Sequence, residues 1–209
     1  LAGYNNSWFD NKFTFGVQVG YHQLQNATKS LATYGDNFLA INFHSINNCS
    51  PETITSKKTN TKRRLQAISA QAEFGYNNMA FLTLRARNDW SSTLPKGNNS
   101  YFYPAIEGSF VFTEIKGLKD LKWLNYLKVR GAFAQVGKDA KPLAIDPALE
   151  GTGLSGGGYK YGYTGPNPYL VPEMNTSYEV GLEARLANDR VNLDFTYFWT
   201  TCQDQIVNG

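Results

Sequence analysis

The chain has 209 residues, 42% of them hydrophobic and 14% aromatic, and its 20 basic and 17 acidic residues give a formal net charge of +3. Charges of both signs are mixed along the chain apart from one basic cluster at residues 57–64, which argues against the dense basic surface of a nucleic-acid binder. No run approaches the roughly 18 apolar residues of a membrane helix, whereas many aromatic residues in an on-average polar chain favour an all-β protein.

Apolar and polar residues alternate along about seven segments, which is the pattern of β-strands with two different faces. The first segment begins at Phe13, where every second residue up to Tyr21 is apolar and the residues between are small or polar. The later segments cover 68–76, 82–86, 106–112, 127–133, 178–186 and 191–199. Strands of this kind are long enough to cross a bilayer when tilted.

The connections between these segments alternate between short and long. Tight turns are predicted at Asn77-Asn78 and at Ala187-Asn188-Asp189, because Asn and Asp accept the backbone conformations that hairpins require. Long polar connections are predicted at 25–63, 89–100 and 138–175, and an intermediate link at 114–124 could hold a helical turn. Short turns at one end and long loops at the other are typical of an outer-membrane barrel.

The two faces differ in charge. One carries Arg85, Arg87, Glu107, Lys128, Arg130, Glu179, Glu183, Arg185 and Asp194, and the other carries almost no charge. Alternation alone does not separate a membrane barrel from a soluble sandwich, but strand length and loop asymmetry favour the barrel. We therefore predict that Val17, Phe74, Leu84, Phe110, Val129, Leu182 and Phe195 face lipid, and that Gln18, Glu73, Arg85, Glu107, Arg130, Glu183 and Asp194 face the lumen.

The same strand count predicts which residues share an end of the barrel. Asn77-Asn78 and Asn188-Asp189 are predicted at one end, with Cys49, Trp90, Gly157 and Cys202 at the other. Trp8, Phe9, Trp199, Tyr101, Phe102 and Tyr103 are candidates for interfacial aromatic girdles, although ordinary packing at strand ends explains each one as well. Cys49 and Cys202 form no CxxC motif, and two unpaired thiols are favoured.

Three stretches resemble the SusC/RagA family of TonB-dependent outer-membrane transporters of the Bacteroidetes. They are FGYNNMAFLTLRARNDWSSTLPKGNNSYFYP at 74–104, LKVRGAFAQVGKDA at 127–140 and NPYLVPEMNTSYEVGLEARLANDRVNLDFTYF at 167–198. The three stretches follow the family's order, and the span from the first to the last, 74–198, is over half the chain. It implies a transmembrane antiparallel β-barrel of about 22 strands around an N-terminal plug.

Seven strands cannot close such a barrel, so residues 1–209 are interpreted as one partial domain from the C-terminal half of the barrel, without the plug or a second domain. Leu1 does not open a signal peptide, which fits an exported protein whose N-terminal part is missing. The resemblance further implies import of oligosaccharides or peptides, driven through TonB, with a SusD-like surface lipoprotein as a lid. No cofactor or nucleic-acid partner is implied.

Candidate contacts to substrate or lid are the aromatic residues Trp90, Tyr101, Tyr159, Tyr161 and Tyr163, whose rings offer stacking faces to an uncharged polymer. The loops concentrate no charge for iron chelates. Neither His22 nor His44 has the spacing of a metal ligand or a catalytic triad. Glu179 and Glu183 could form an acid/base pair, but salt bridges to Arg130 or Arg185 are the simpler interpretation.

Two alternatives remain open at this point. A soluble or surface-attached glycan-binding β-sandwich would fold alone in water. An outer-membrane hydrolase would need a Ser/His or Asp/His constellation near the loops, which two histidines scarcely permit.

Overall fold

A computed structural model describes residues 1–145, 149–151, 158–161 and 167–207. Eight of its strands form one antiparallel sheet. They are β1 (Ala2–Trp8), β2 (Phe13–Tyr34), β3 (Thr55–Tyr76), β4 (Ala80–Ser91), β5 (Ser100–Val111), β6 (Leu124–Lys138), β9 (Glu173–Leu186) and β10 (Val191–Gln203). Two short strands, β7 (Leu149–Gly151) and β8 (Tyr159–Tyr161), pair separately in the connection between β6 and β9.

The all-β barrel-wall architecture predicted from alternation is confirmed, but the strand count is too low by one. The sheet order is β1-β2-β3-β4-β5-β6-β9-β10, so the eight strands follow one another across the sheet in the same order as along the chain. The strand that alternation misses is β1, where small and polar residues such as Asn5 and Asn6 replace the apolar residues expected on one face. Its backbone nevertheless pairs with β2 along its full length.

Tight turns close one end of the sheet. Asn77 and Asn78 have φ angles of 51° and 54°, and Ala187, Asn188 and Asp189 have φ of 55°, 57° and 60°, which confirms both predicted turns. A third turn follows β1, where residues 9–11 also adopt positive φ. The link between β5 and β6 begins with the 3₁₀ helix Phe112–Glu114, near the helical turn predicted for this link.

The predicted loop at 25–63 is wrong at both of its ends, which together make up about half of its length. Strands β2 and β3 each have 22 residues and stay paired from Phe13↔Tyr76 to Tyr34↔Thr55, so only residues 35–54 connect them. This tip contains the 3₁₀ helices Ile46–Asn48 and Pro51–Thr53. The buried Asn48 organises it, because its side-chain amide accepts from the Ala40 amide at 2.9 Å and donates to the carbonyls of Ala40 at 2.8 Å and Phe43 at 2.6 Å.

The strand registers put the predicted apolar and polar residues on opposite faces. On one face Phe110 lies opposite Val129, Val129 opposite Leu182, and Leu182 opposite Phe195. On the other, Gln18 lies opposite Gln71 and Gln71 opposite Arg85. Aromatic pairs reinforce the apolar face, including Phe15–Phe74 at 5.1 Å between ring centroids and stacked Tyr178–Trp199 at 4.9 Å. The registers therefore place the two predicted residue sets on opposite faces of one sheet.

The predicted separation of the two ends is also confirmed where it can be followed. Asn77 lies in the turn before β4, whereas Trp90 lies at the far end of β4 and pairs with Gln66 and Ser100. Cys202 pairs with Asn175 at the end of the sheet opposite the Asn188 turn. Cys49 lies at the tip of the β2–β3 hairpin, and both thiols are free. Gly157 lies outside the described residues.

Side-chain burial concentrates at the long-loop end of the sheet. Leu94, Tyr101 and Ala140 form a small core there, and Tyr103, Ala144, Leu170 and Ile206 pack against it. Elsewhere the apolar face stays uncovered, with Leu182 40% and Phe195 65% exposed. Because no second sheet packs on this face within the described residues, the β-sandwich alternative receives no support from the packing.

Candidate functional site

The middle of the polar face carries a ladder of side chains that joins β3, β4 and β5. Arg85 donates through Nε to Gln71 Oε1 at 2.9 Å and through Nη1 to Glu107 at 3.3 Å, while Gln71 also bonds Glu73. The side chains of Arg85 and Glu107 are 48% and 53% exposed. An ion pair this open to solvent contributes little to stability, so the ladder chiefly sets the polarity of the surface.

A second cluster spans β6, β9 and β10 around Arg130. Its guanidinium donates to Asp194 at 3.0 Å and to Thr196 Oγ1 at 2.6 Å, and it lies 3.6 Å from Glu179. To reach β10 the side chain crosses Gly181, where an added Cβ would come within 2.5 Å of Arg130 Nε. The absence of a side chain at Gly181 therefore allows one arginine to join three strands.

Glu183 completes the ionic pattern at the turn end of β9. It pairs with Arg185 at 3.0 Å, and the Arg185 guanidinium stacks over the Tyr126 ring at 4.9 Å. With Glu179 paired to Arg130, both carboxylates of the acid/base alternative have cationic partners. The salt-bridge interpretation of Glu179 and Glu183 is confirmed.

Towards the long-loop end the polar face becomes buried. Arg87 pairs with Asp89 at 2.7 Å, and the Tyr103 hydroxyl donates to the same carboxylate at 3.0 Å. The Asp89 side chain is 5% exposed, against 35% for Arg87. A buried carboxylate with charge-assisted partners of this kind fixes the geometry of its surroundings.

Asp139 forms the tightest polar cluster of the rim. Its carboxylate accepts two hydrogen bonds from Arg63, at 2.9 Å from Nε and 2.7 Å from Nη2, one from Thr93 at 2.9 Å, and one from Ser91. Burial acts to raise the pKa of Asp139, but the hydrogen bonds from Arg63, Ser91 and Thr93 outweigh it and hold the pKa below its usual value. The rim cluster, defined as Arg63, Ser91, Thr93 and Asp139, joins strand β3, the end of β4 with the loop that follows it, and the segment after β6.

Glu173 extends the rim to the C-terminal strands. It pairs with Lys138 at 2.9 Å and accepts the Ile206 amide at 2.8 Å. Asn98 donates to the carbonyls of Tyr169 and Leu170 at 3.2 Å and 3.3 Å. These contacts bring the three stretches of family resemblance together at one end of the sheet.

The predicted substrate or lid contacts are not gathered into one site. Tyr101 is 7% exposed and packs in the rim core, so its ring has no free stacking face. Trp90 lies in β4 rather than in a loop, on the same face as Leu84. Tyr159 in β8 is 78% exposed, Tyr161 ends the same strand, and Tyr163 lies outside the described residues.

Sequence reasoning missed the residues that organise the rim. Arg63 was placed in a loop, and Ser91, Thr93 and Asp139 carry no isolated motif. The available signal was indirect, since Ser91 and Asp139 lie inside two of the stretches that resemble the family. Their convergence depends on strand register, which sequence alone did not provide.

Two depressions on the polar face offer space beside these side chains. One, of about 280 Å³, is lined in part by Gln71, Arg85, Arg87, Tyr103 and Ala134. The other, of about 680 Å³, lies near the turn end beside Asn5, Glu73 and Thr83. Both combine hydrogen-bonding groups with apolar surface, which suits a polar, uncharged ligand or another segment of protein.

Two features are absent from the part of the chain that the structure describes, a cluster of metal-binding side chains and a helix able to span a membrane. This part contains no group of three or more His, Cys, Asp or Glu residues placed to hold a metal ion. Among the same residues, no helix has the length and apolar character needed to span a membrane.

The sequence matches the family model of the TonB dependent receptor-like β-barrel over residues 2–209. The chain belongs to this family. A curated relative, TonB-dependent receptor P26 of Formosa agariphila, is 23% identical over 175 residues, which cover 81% of this chain and 18% of the relative. The chain therefore spans about a fifth of that relative's length.

Solved structures show the same fold. The RagAB peptide transporter matches with a TM-score of 0.84 at 16% identity, over 98% of this chain and 23% of that chain. The RagAB peptide importer in its open-open state matches with a TM-score of 0.74 at 17% identity, over 94% and 22%. At these identities the likeness concerns the fold alone.

Family membership gives the location of the chain. TonB-dependent receptor barrels are outer-membrane proteins, so the chain is located in the outer membrane. In such a barrel the apolar face contacts the bilayer and the polar face lines the lumen. The family is one of receptors and transporters rather than of enzymes.

Proposed function

We propose that the chain is the wall segment of a longer TonB-dependent transporter that imports oligosaccharides or peptides across the outer membrane. The observation that carries the proposal is the division of one eight-stranded sheet into an apolar face and a charged lumen face. In this view the segment performs no covalent chemistry. It supplies lumen polarity through Arg85, Glu107, Arg130 and Asp194, and loops at the outer rim.

The partners belong to the proposal as well. A SusD-like surface lipoprotein would cover the outer rim, and the TonB complex would act through a plug encoded elsewhere in the complete protein. The rigid rim supports this arrangement, because the Asp139 cluster and the Glu173–Lys138 pair hold several loops in fixed relation to the sheet. A lid needs such a defined surface to close on.

Substrate contact is proposed for the depression beside Arg85, Arg87 and Tyr103 and for the loop region around Tyr159. The hydroxyl, amide and guanidinium groups in the depression can bond sugar hydroxyls or peptide carbonyls. Trp90 is better suited to the lipid interface on its side of the sheet. Tyr101 supports the rim from beneath.

The test is uptake by cells that carry the complete protein. A deletion strain should lose import of labelled oligosaccharides or oligopeptides, and the wild-type gene should restore it. An uncoupler of the proton-motive force should abolish the restored import. Unchanged uptake of both substrate classes in the deletion strain would refute the proposed function.

A second experiment addresses the outer loop. Removing residues 151–163 from the complete protein should leave barrel assembly intact, since the main sheet's hydrogen-bond ladder lies elsewhere. The deletion should reduce import or capture of the surface lipoprotein. Normal assembly together with wild-type import and capture would exclude this loop from both surfaces.

A further inference from the structure

The β2–β3 hairpin continues well beyond the apolar part of the sheet. On its lipid-facing side the continuous run of large apolar residues ends at Tyr21 and Ile68, which pair with each other, and beyond them only Leu31 is large and apolar. The Tyr21 hydroxyl donates to Gln23 at 2.9 Å and accepts from Gln66 at 3.0 Å, as an interfacial tyrosine does. These contacts mark the upper edge of the hydrocarbon-facing surface.

Above this edge the same side of the hairpin is basic and lacks carboxylates. Its outward positions carry four cations, Lys29, Lys58, Lys62 and Arg64. The other outward positions are neutral, and they are Gln23, Gln25, Ala27, Leu31, Thr33, Ser56, Asn60 and Gln66. All four cationic residues are exposed, and none forms a salt bridge within the described residues.

The neighbouring cation is treated differently. Arg63 points to the lumen side and is neutralised by Asp139 at 2.7 Å. Arg64, the next residue, bonds only a neutral side chain, Gln25, at 3.1 Å. The charge of Arg63 is therefore balanced by a carboxylate, whereas the charge of Arg64 is not.

A surface depression lies at this level. It has a volume of about 310 Å³ and is lined by Gln25, Lys62, Arg63, Arg64 and Ser92. Ser92 is fixed there by two hydrogen bonds, since its amide donates to the Arg64 carbonyl and its hydroxyl accepts from the Arg64 amide, both at 2.9 Å. The depression combines the outward cations Lys62 and Arg64 with the Ser92 hydroxyl, whereas Arg63 is already paired with Asp139. Two cations beside a hydrogen-bond donor are the chemistry of a phosphate site.

The depression beside Ser92 lies at the level of the lipid headgroups. A strand rises about 3.3 Å per residue, so a tilt of about 45° places Arg64 and Lys62 roughly 10 Å and 14 Å above Ile68. Long basic side chains at this depth reach the polar groups next to the hydrocarbon. Lys29 and Lys58 lie higher on the same side.

We propose that Lys62 and Arg64, in the depression beside Ser92, bind the phosphate groups of an anionic glycolipid in the outer leaflet. The site faces the lipid rather than the lumen, continues the bilayer-contacting surface upwards, and has the complementary charge. A basic juxtamembrane patch of this kind gains affinity from each cation near an anionic surface. The proposal depends on the outer-membrane location and not on which nutrient is imported.

The test uses the complete protein in phosphatidylcholine nanodiscs that contain either phosphorylated lipid A or lipid A from which both phosphates have been removed. Glycolipid retained by the protein is measured by native mass spectrometry. The wild type should retain the phosphorylated form preferentially, and less of it as salt increases. Lys62→Gln together with Arg64→Gln should lower retention at least about fivefold, the effect of losing one or more cation–phosphate contacts.

Two variants make the result specific. Lys12→Gln with Lys116→Gln removes two exposed cations at the turn end and should leave retention unchanged. Lys62→Arg with Arg64→Lys keeps both charges and should retain the lipid even if the neutral variant fails to fold. Equal retention by the neutral variant and the wild type would overturn the proposal, as would wild-type retention that ignores phosphate or salt. Weaker capture of a surface lipoprotein with unchanged glycolipid retention would instead assign the patch to a protein partner.

Discussion

Arg63 and Asp139 lie 76 positions apart and form a two-point ion pair, with donor–acceptor distances of 2.9 Å and 2.7 Å. The pair ties the extended hairpin to the segment that follows β6. The Asp139 side chain is 8% exposed and that of Arg63 is 27% exposed, so the pair is shielded from water. Ser91 and Thr93 satisfy the remaining acceptor capacity of the carboxylate.

Arg63→Gln should weaken the rim more than the loss of a surface salt bridge would. Removing the guanidinium leaves a buried carboxylate without its cation, which costs about 3–5 kcal/mol in a fully buried pair. The cost is smaller here because the Arg63 side chain is 27% exposed. Hydrogen exchange should speed up in residues 91–99 and 139–145 while the strands stay protected. Arg85→Gln is the matched control, because its pair with Glu107 is half exposed and should contribute below about 1 kcal/mol. Equal effects of the two substitutions would contradict the special role of the rim pair.

Acid should loosen the same cluster. The folded-state pKa of Asp139 lies below its ordinary value, so its contribution to stability is complete above the unfolded pKa of about 4 and declines as pH falls through the lower folded value. Limited proteolysis of the rim loops should therefore increase below about pH 4 and stay constant between about pH 5 and 8. Asp139→Asn should remove the part of this pH dependence that belongs to the cluster. A profile identical in wild type and variant would show that other groups control it.

The turn between β9 and β10 offers a stabilising substitution. Ala187 has φ of 55°, a conformation that costs a residue with a Cβ roughly 1 kcal/mol and costs glycine almost nothing. Ala187→Gly should therefore raise or preserve the denaturation midpoint of the refolded protein. Ala132→Gly, within strand β6, should lower it because the strand interior favours a side chain. A clear decrease with Ala187→Gly would mean that the methyl group makes contacts outweighing the backbone strain.

The sheet and its two faces could be predicted because alternation reports which side of a strand meets hydrocarbon. Leu182 and Phe195 were assigned to one face for this reason, and they lie opposite each other in the sheet. The extension of β2 and β3 could not be recognised, since most side chains at 25–34 and 55–62 are exposed on both sides of the hairpin and no alternation is required. In this part of the hairpin the two strands are held together by backbone hydrogen bonds. Such bonds require few particular side chains, so the sequence does not reveal how far the pairing extends.

The rim depended on information of another kind. Tyr101 was predicted to contact substrate, but its side chain is buried. The sequence does not separate these two outcomes, because an aromatic residue next to a loop can be either exposed or buried. The burial of Tyr101 results from Leu94 and Ala140, which come from two separate connections. The packing of Tyr101 against these residues is determined by the strand register, which aligns the ends of β4, β5 and β6. The positions of Asp139 and Ser91 follow from the same register.

Gly181 should be essential for the position of Arg130. A Cβ there would lie 2.5 Å from Arg130 Nε and 2.8 Å from Cγ, so Gly181→Val must push the side chain off its path to Asp194. A double-mutant cycle gives the free-energy coupling between Arg130 and Asp194. This coupling should be measurable in the wild type and fall to near zero in the Gly181→Val background. The Gly181→Val substitution itself should lower the free energy of unfolding by about 1 kcal/mol. Gly108→Ala is the control, because its added Cβ would meet only the Phe81 carbonyl oxygen at 4.0 Å. Coupling that persists in the Gly181→Val background would show that Arg130 reaches Asp194 by another route, and the three-strand contact would not depend on the glycine.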